Sequence, residues 1–174
     1  MSEHTAVPEF GTKREGEERR DGGCAVVFDP ATQLFAVNKH DDNGLLILIS
    51  GGVDVNEDIQ TGILREVAEE SGLHDFLYVE KIAEAITHYY NFAKKVNRVG
   101  HATCLLVILR STNVIERHLE AHEKFTLVWV TAEDLLTNWR TYNEHGDHGH
   151  WIYFLDKAVA RARELGYVVG DASL

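Results

Sequence analysis

The sequence predicts an α/β protein in which a mixed β-sheet is sandwiched between helices. Three observations carry that expectation. Short strand-like runs recur along the chain. Only two long stretches show helical spacing, one in the middle and one near the C-terminus. And 44% of the 174 residues are apolar, enough for a real core but not for two. We therefore expect one folded domain over residues 22–174. Residues 1–21 are polar, with Lys13, Arg14, Arg19 and Arg20 among glutamates. They are expected to form a flexible or loosely docked arm.

The strands come first. Residues 24–28 are an apolar run ended by Asp29-Pro30, a turn signal. Residues 34–38 form the next run, and Asp41-Asp42-Asn43-Gly44 closes it as a hairpin-like turn. Residues 45–49 are continuously apolar, which predicts a central strand buried on both faces. That strand would deliver the loop at Gly51 from a rigid support.

A helix is predicted over about 58–71. Asn56 or Asp58 can cap its start, and Gly72 can stop it. On a wheel of about 100° per residue, Ile63, Leu64, Val67 and Ala68 share one arc. Glu66, Glu69 and Glu70 fall on the neighbouring arc. Carboxylates at these spacings repel by a few tenths of a kcal/mol per pair. Glu70 also borders the apolar arc, where a lone charge is costly. A hard divalent cation such as Mg²⁺ would relieve both problems. Taken alone, the three glutamates read equally well as a solvated acidic face.

Beyond the helix, residues 77–90 predict a long strand and 91–97 a loop carrying Lys94 and Lys95. Residues 102–109 read as a second buried strand. Residues 111–124 are polar and hold Glu120 and Glu123. A short strand follows over 125–130, then a brief helix over 132–138 capped by Thr131. Residues 143–150 are rich in glycine and histidine. His145, His148 and His150 lack the spacing of a zinc motif, so a surface loop is expected there. A closing helix is predicted over 151–165. Trp129, Trp139 and Trp151 are expected in the core.

The net charge is −11, so no basic excess is present to bind nucleic acid phosphates nonspecifically. Both cysteines, Cys24 and Cys104, lie in apolar runs and read as buried free thiols of a reducing compartment. The chain shows no membrane-spanning run and opens with no signal-peptide pattern, so we expect a cytoplasmic protein without a membrane partner.

The stretch 51–73 is the most specific part of the chain. It reads Gly, five residues, Glu57, seven residues, then Arg65-Glu66-Val67-Ala68-Glu69-Glu70-Ser71-Gly72-Leu73. This resembles the Nudix box at every defined position, although Ser50 stands where a glycine is frequent. The resemblance implies an α/β/α sandwich with a mixed sheet, and a loop–helix–loop that holds Mg²⁺ or Mn²⁺. Carried onto this chain, Glu66, Glu69 and Glu70 become metal ligands, with the Gly51 carbonyl nearby. Glu57 would pair with Arg65 and brace the helix. The N-terminal arm leaves room for a homodimer, since some family members use such segments in dimer contacts.

The implied activity is hydrolysis of a diphosphate linkage in a nucleoside diphosphate derivative, so the partner is a small nucleotide. Family members take the general base either from the box, here Glu69, or from a later loop, here Glu120 or Glu123. Tyr89 and Tyr90 lie 16 and 17 residues past Leu73. Tyrosine near that distance resembles the diadenosine polyphosphate hydrolases. An aromatic face can stack on adenine, and Lys94, Lys95 and Arg98 could meet a phosphate chain. Nucleoside triphosphates, ADP-ribose and nucleotide sugars are the alternative substrates. A proline near the tyrosines would point to ADP-ribose, and none comes after Pro30. Two readings from other classes share the fold: an isopentenyl-diphosphate-type isomerase, which needs a catalytic cysteine, and a nucleotide-sensing module, which usually lacks box carboxylates.

Overall fold

In β3 (Gly22–Asp29) successive side chains bury on opposite sides of the sheet. Cys24, Val26 and Phe28 enter one apolar cluster, and Ala25 and Val27 enter the other. A strand covered on both faces requires helices on both, and the computed structural model has them. It describes residues 6–142 and 148–170. The helix α1 (Ile59–Ser71) covers one face through Ile63 and Val67. The helices α2 (Ala132–Thr141) and α3 (Gly149–Glu164) cover the other through Leu135, Trp139, Phe154 and Leu155. Each fully buried Leu, Val or Phe contributes roughly 1.5–3 kcal/mol. The fold is therefore an α/β/α sandwich.

The sheet is mixed. Its main path runs from β1 (Glu9–Phe10) through β7 (Phe76–Asn91), β8 (Val96–Leu109), β3 and β4 (Leu34–His40) to β5 (Leu46–Ile47). Off this path, β2 (Glu18–Arg19) pairs with β8, β6 (Ile49–Gly52) with β3, and β9 (Phe125–Val130) with β4. The two central strands, β3 and β8, are parallel, and this register sets Cys24 beside Cys104. Both are buried free thiols.

Three expectations need correction. The apolar run 45–49 is not one strand. It bends at buried Leu48, so that β5 pairs with β4 while β6 turns to β3. Continuous apolarity reports burial, and a bend between two apolar clusters is buried as fully as a straight strand. The expected loop 91–97 is a hairpin. β7 and β8 remain paired out to Asn91 and Val96, leaving residues 92–95 as the turn. Polar side chains on the solvated end of a two-stranded ribbon hide a strand signal. The short helix also runs three residues further than expected, to Thr141.

The arm is docked along the sheet edge. Glu9 and Phe10 pair with Ile86 and Thr87, and Glu18 and Arg19 pair with Arg98 and Val99. His88, buried beneath it, has one ring nitrogen on Glu9 and the other on Glu17, the latter at 2.9 Å. His145 lies outside the described residues. His148 stacks on Trp151 at 4.8 Å with the rings nearly parallel, and its Nε2 contacts the Tyr142 carbonyl at 2.7 Å. His150 also packs on Trp151, at 5.4 Å.

Candidate active site

The helix α1 is capped at both ends. Asp58 caps the helix, its carboxylate accepting from Thr61 N–H at 3.1 Å. Gly72 ends it in the left-handed region at φ 78°. Between them Arg65 grips Glu57 with two parallel bonds, Nε to Oε2 and Nη2 to Oε1, each 3.0 Å. Its remaining nitrogen, Nη1, reaches Glu66 and Glu69 at 3.1 Å each. Glu57, ahead of all other contacts, raises the Arg65 pKa. Arg65 therefore ties the loop to the helix and offsets charge among the glutamates.

Glu66 lies against the end of β6. A Cβ on Gly51 would collide with its carboxyl group, whose Oε1 would stand 2.6 Å away. Only glycine lets the strand end and the carboxylate share this space. Burial raises the Glu66 pKa; Arg65 opposes it, and Glu69 and Glu123 reinforce it.

Glu70 is buried and accepts from Asn38 Nδ2 at 2.8 Å. Its pKa is pushed up to about 8, first by burial and then by the charges of Glu123 and Glu66. The Ser50 N–H and Asn38 pull the other way. Glu69 is the more open of the three, with its side chain 39% exposed.

Glu123 arrives on a segment that reads as plain polar loop in the sequence. Residues 115–118 dock on the last turn of α1, where backbone carbonyls lack helical partners. Ile115 N–H donates to Gly72 O, His118 N–H to Glu69 O, and Arg117 Nε to Glu70 O at 2.6 Å. This docking places Glu123 within electrostatic reach of Glu66 and Glu70. The Glu123 carboxylate accepts from the Glu120 N–H at 2.9 Å. Glu120 itself points its carboxylate towards His122, 3.5 Å away, and its side chain is 72% exposed. Glu120, His122 and Glu123 also lie close enough to share an ion, but Glu120 and His122 are exposed.

The donor set fits a hard divalent cation. Glu66, Glu69 and Glu70 share one helical face and Glu66 lies beside Gly51, although among the described residues it is the oxygens and ring nitrogen of Glu120, His122 and Glu123 that lie within 4.8 Å of one another; a buried carboxylate under like-charge repulsion gains most from a cation.

On the β7–β8 ribbon, Tyr89 stands opposite Arg98. The Tyr89 ring is 38% exposed, and its pKa is raised by burial, with Arg98 and Arg20 opposing. Tyr90 projects to the other side of the ribbon and meets Phe92 edge-on at 4.9 Å. Lys94 and Lys95 are exposed in the hairpin turn beyond these pairs. The structure thus brings Tyr89 and Arg98 together and sets Tyr90 apart. Asn38 and Arg117 went unnoticed in the sequence. Neither carries a local signal, because each acts on a residue 32 or 47 positions away.

A family model for the NUDIX domain matches residues 18–152. The chain belongs to the NUDIX family. The match takes in β2, the whole box, the segment carrying Glu123 and the start of α3. Membership of the NUDIX family supports a pyrophosphohydrolase. Solved structures share the chain's fold at low identity. An Ap4A hydrolase from C. elegans, in a binary complex, aligns with TM-score 0.62 at 16% identity, over 83% of this chain and 98% of its own. The NUDIX domain of Shewanella oneidensis NrtR, complexed with ADP ribose, gives 0.58 at 17%, over 85% and 90%. An ADP compounds hydrolase gives 0.60 at 13%, over 90% and 80%. No curated protein sequence matches the chain. Cys24 on β3 and Cys104 on β8 are buried in the apolar cluster on the α2–α3 side of the sheet, while α1 and its glutamates cover the other side.

Proposed function

We propose that this protein is a Mg²⁺- or Mn²⁺-dependent hydrolase of a diphosphate linkage in a nucleoside diphosphate derivative, with dinucleoside polyphosphates such as diadenosine tetraphosphate as the leading class. One observation carries the reading: Glu66 and Glu70 on α1 and Glu123 on a separate segment lie near enough for the charge of Glu123 to act on both of the others. Glu66, Glu69 and Glu70 would hold the cation. A bound divalent ion neutralises diphosphate charge and acidifies water. Glu123 would accept the proton of attacking water; the exposure of Glu120 favours Glu123 over it. Glu57 and Arg65 hold the loop and helix in register.

The pairing of Tyr89 with Arg98 supports a surface there for a nucleobase and its phosphates. An exposed aromatic face contributes about 1–3 kcal/mol per stacked base in other nucleotide binders. Likeness to a domain complexed with ADP ribose supports ADP-ribose as the second reading. A substrate panel tests both. Diadenosine tetraphosphate, ADP-ribose, nucleotide sugars and the common triphosphates are compared by kcat/KM with Mg²⁺, with Mn²⁺ and with EDTA. Diadenosine tetraphosphate should lead, and EDTA should abolish turnover. A tenfold lead by ADP-ribose or a triphosphate overturns the substrate assignment, and turnover in EDTA overturns the metal assignment.

A further inference from the structure

Gly51 and Gly52 end β6 as neighbours on a pleated strand, so their Cα–Hα directions face opposite sides of the sheet. Gly51 faces Glu66. Gly52 faces Arg20: a Cβ there would collide with the guanidinium, whose carbon would lie 2.9 Å away. The lip of the sheet therefore has the Glu66 carboxylate on one side and a guanidinium on the other, separated by two residues that carry no side chains.

Arg20 is held there by its backbone. It comes directly after β2, and its N–H donates to Val99 O at 2.9 Å. Its own carbonyl packs so tightly on Gly100 that a Cβ at that glycine would strike it. The side chain is treated differently. Among the described residues, Arg20 is an exposed arginine whose guanidinium makes no hydrogen bond or ion pair, in a protein of net charge −11. Its neighbours show the contrast. Arg19 is paired with Asp21 at 3.1 Å and Arg98 with Glu18 at 3.7 Å. Tyr89 is the polar neighbour that feels both Arg20 and Arg98.

We infer that Arg20, supplied by the N-terminal segment, is a substrate-binding residue that receives a phosphate of the substrate on the side of the Gly51–Gly52 lip opposite the carboxylates. The inference rests on the proposed diphosphate substrate and deepens that reading. A diphosphate laid across the lip would meet the cation-holding glutamates with one phosphate and Arg20 with the other. Neither Gly51 nor Gly52 adds a side chain at this strand end, so a linkage passing around it can be approached from both sides. A guanidinium matches phosphate oxygens with two parallel donors, which a lysine ammonium does not. The site also explains why the arm is docked: without β2 on β8, this guanidinium would not be fixed beside the lip.

The test is binding of adenosine 5′-(α,β-methylene)diphosphate, which cannot be cleaved at the bridged position. Titration calorimetry compares the full-length protein with Arg20→Ala and Arg20→Lys, with Mg²⁺ and with EDTA. Thermal melts check that β2 stays docked, since its pairing uses backbone atoms. Arg20→Ala should weaken binding roughly tenfold to a hundredfold, the scale of one charged hydrogen-bonded contact. Arg20→Lys should restore part of it. Wild-type affinity in Arg20→Ala, or no binding by the wild type, overturns the inference. Arg20-dependent binding by a protein that hydrolyses no member of the substrate panel would leave the inference standing and sink the hydrolase reading instead.

Discussion

Asn38 Nδ2 donates to Glu70 Oε2 at 2.8 Å, and both side chains are buried. The amide oxygen of Asn38 has no partner among the described residues. The side chain is thus committed to Glu70 through its NH₂ group, on a strand that pairs with β9 and β5. It fixes the carboxylate that suffers most from burial.

Removing that support should show in two ways. Asn38→Ala should lower metal affinity or activity by about 10- to 100-fold, as loss of an outer-shell partner typically does. It should also alter the pH dependence of the metal-free protein. Glu70 has a folded pKa of about 8 against an ordinary value of 4.5, so burial favours its protonated form. Its contribution to metal-free stability is fully present below about 4.5 and is lost as pH rises through about 8. Glu70→Gln keeps a neutral group there, so in EDTA its melting temperature should exceed that of the wild type at pH 8 and converge with it near pH 4. Parallel melts across that range check the sign.

The brace is tested by Arg65→Ala. It would orphan Glu57, whose side chain is 17% exposed, and expose Glu66 and Glu69 to mutual repulsion. Because Arg65 is itself about one-third exposed, the loss of stability should be moderate, a fall of a few degrees in melting temperature rather than that of a fully buried pair. Activity should drop more than tenfold, since the loop at Gly51 loses its tie to the helix. Thermal melts and kcat/KM with Mg²⁺ measure the two effects separately.

Glu120 and Glu123 should behave differently. General-base catalysis typically contributes 10²- to 10⁴-fold. Glu123→Gln should cost kcat on that scale. Glu120→Gln should cost less than tenfold, because its carboxylate faces His122 and solvent. If neither change reaches tenfold, the base is Glu69.

The docking of the arm should depend on pH through His88. Its pKa is raised, first by the hydrogen bond to Glu9, against burial, and then by Glu17. For Glu17, burial opposes the charged form, but the Arg14 N–H and His88 outweigh it and its pKa is lowered. The histidine contribution is complete below about 6.5 and is lost as pH rises through its raised folded value. The Glu17 contribution is present above 4.5 and is lost as pH falls through its lowered value. Residues 9–19 should therefore exchange amide hydrogens most slowly between about pH 4.5 and 6.5, after correction for intrinsic rates. His88→Gln should remove the upper limb.

Short-range periodicity is the part of this protein that the sequence determined by itself. Three glutamates at helical spacings of three and four share a face wherever that helix sits, and Gly72 stops it after the same turn. Alternation and apolar runs along β3 and β8 set two covered faces, and so the sandwich. Only the tertiary structure decided which later carboxylate acts electrostatically on the cluster. Glu120 and Glu123 are equivalent in composition, and the docking of Ile115, Arg117 and His118 on the carbonyls of α1 separates them. The same holds for Tyr89 against Tyr90, for Asn38 beneath Glu70 and for Arg20 beside Gly52. Their positions depend on strand register and loop docking between residues tens of positions apart. Such contacts are fixed by burial and backbone hydrogen bonding across the whole sheet, and a local sequence pattern carries no record of them.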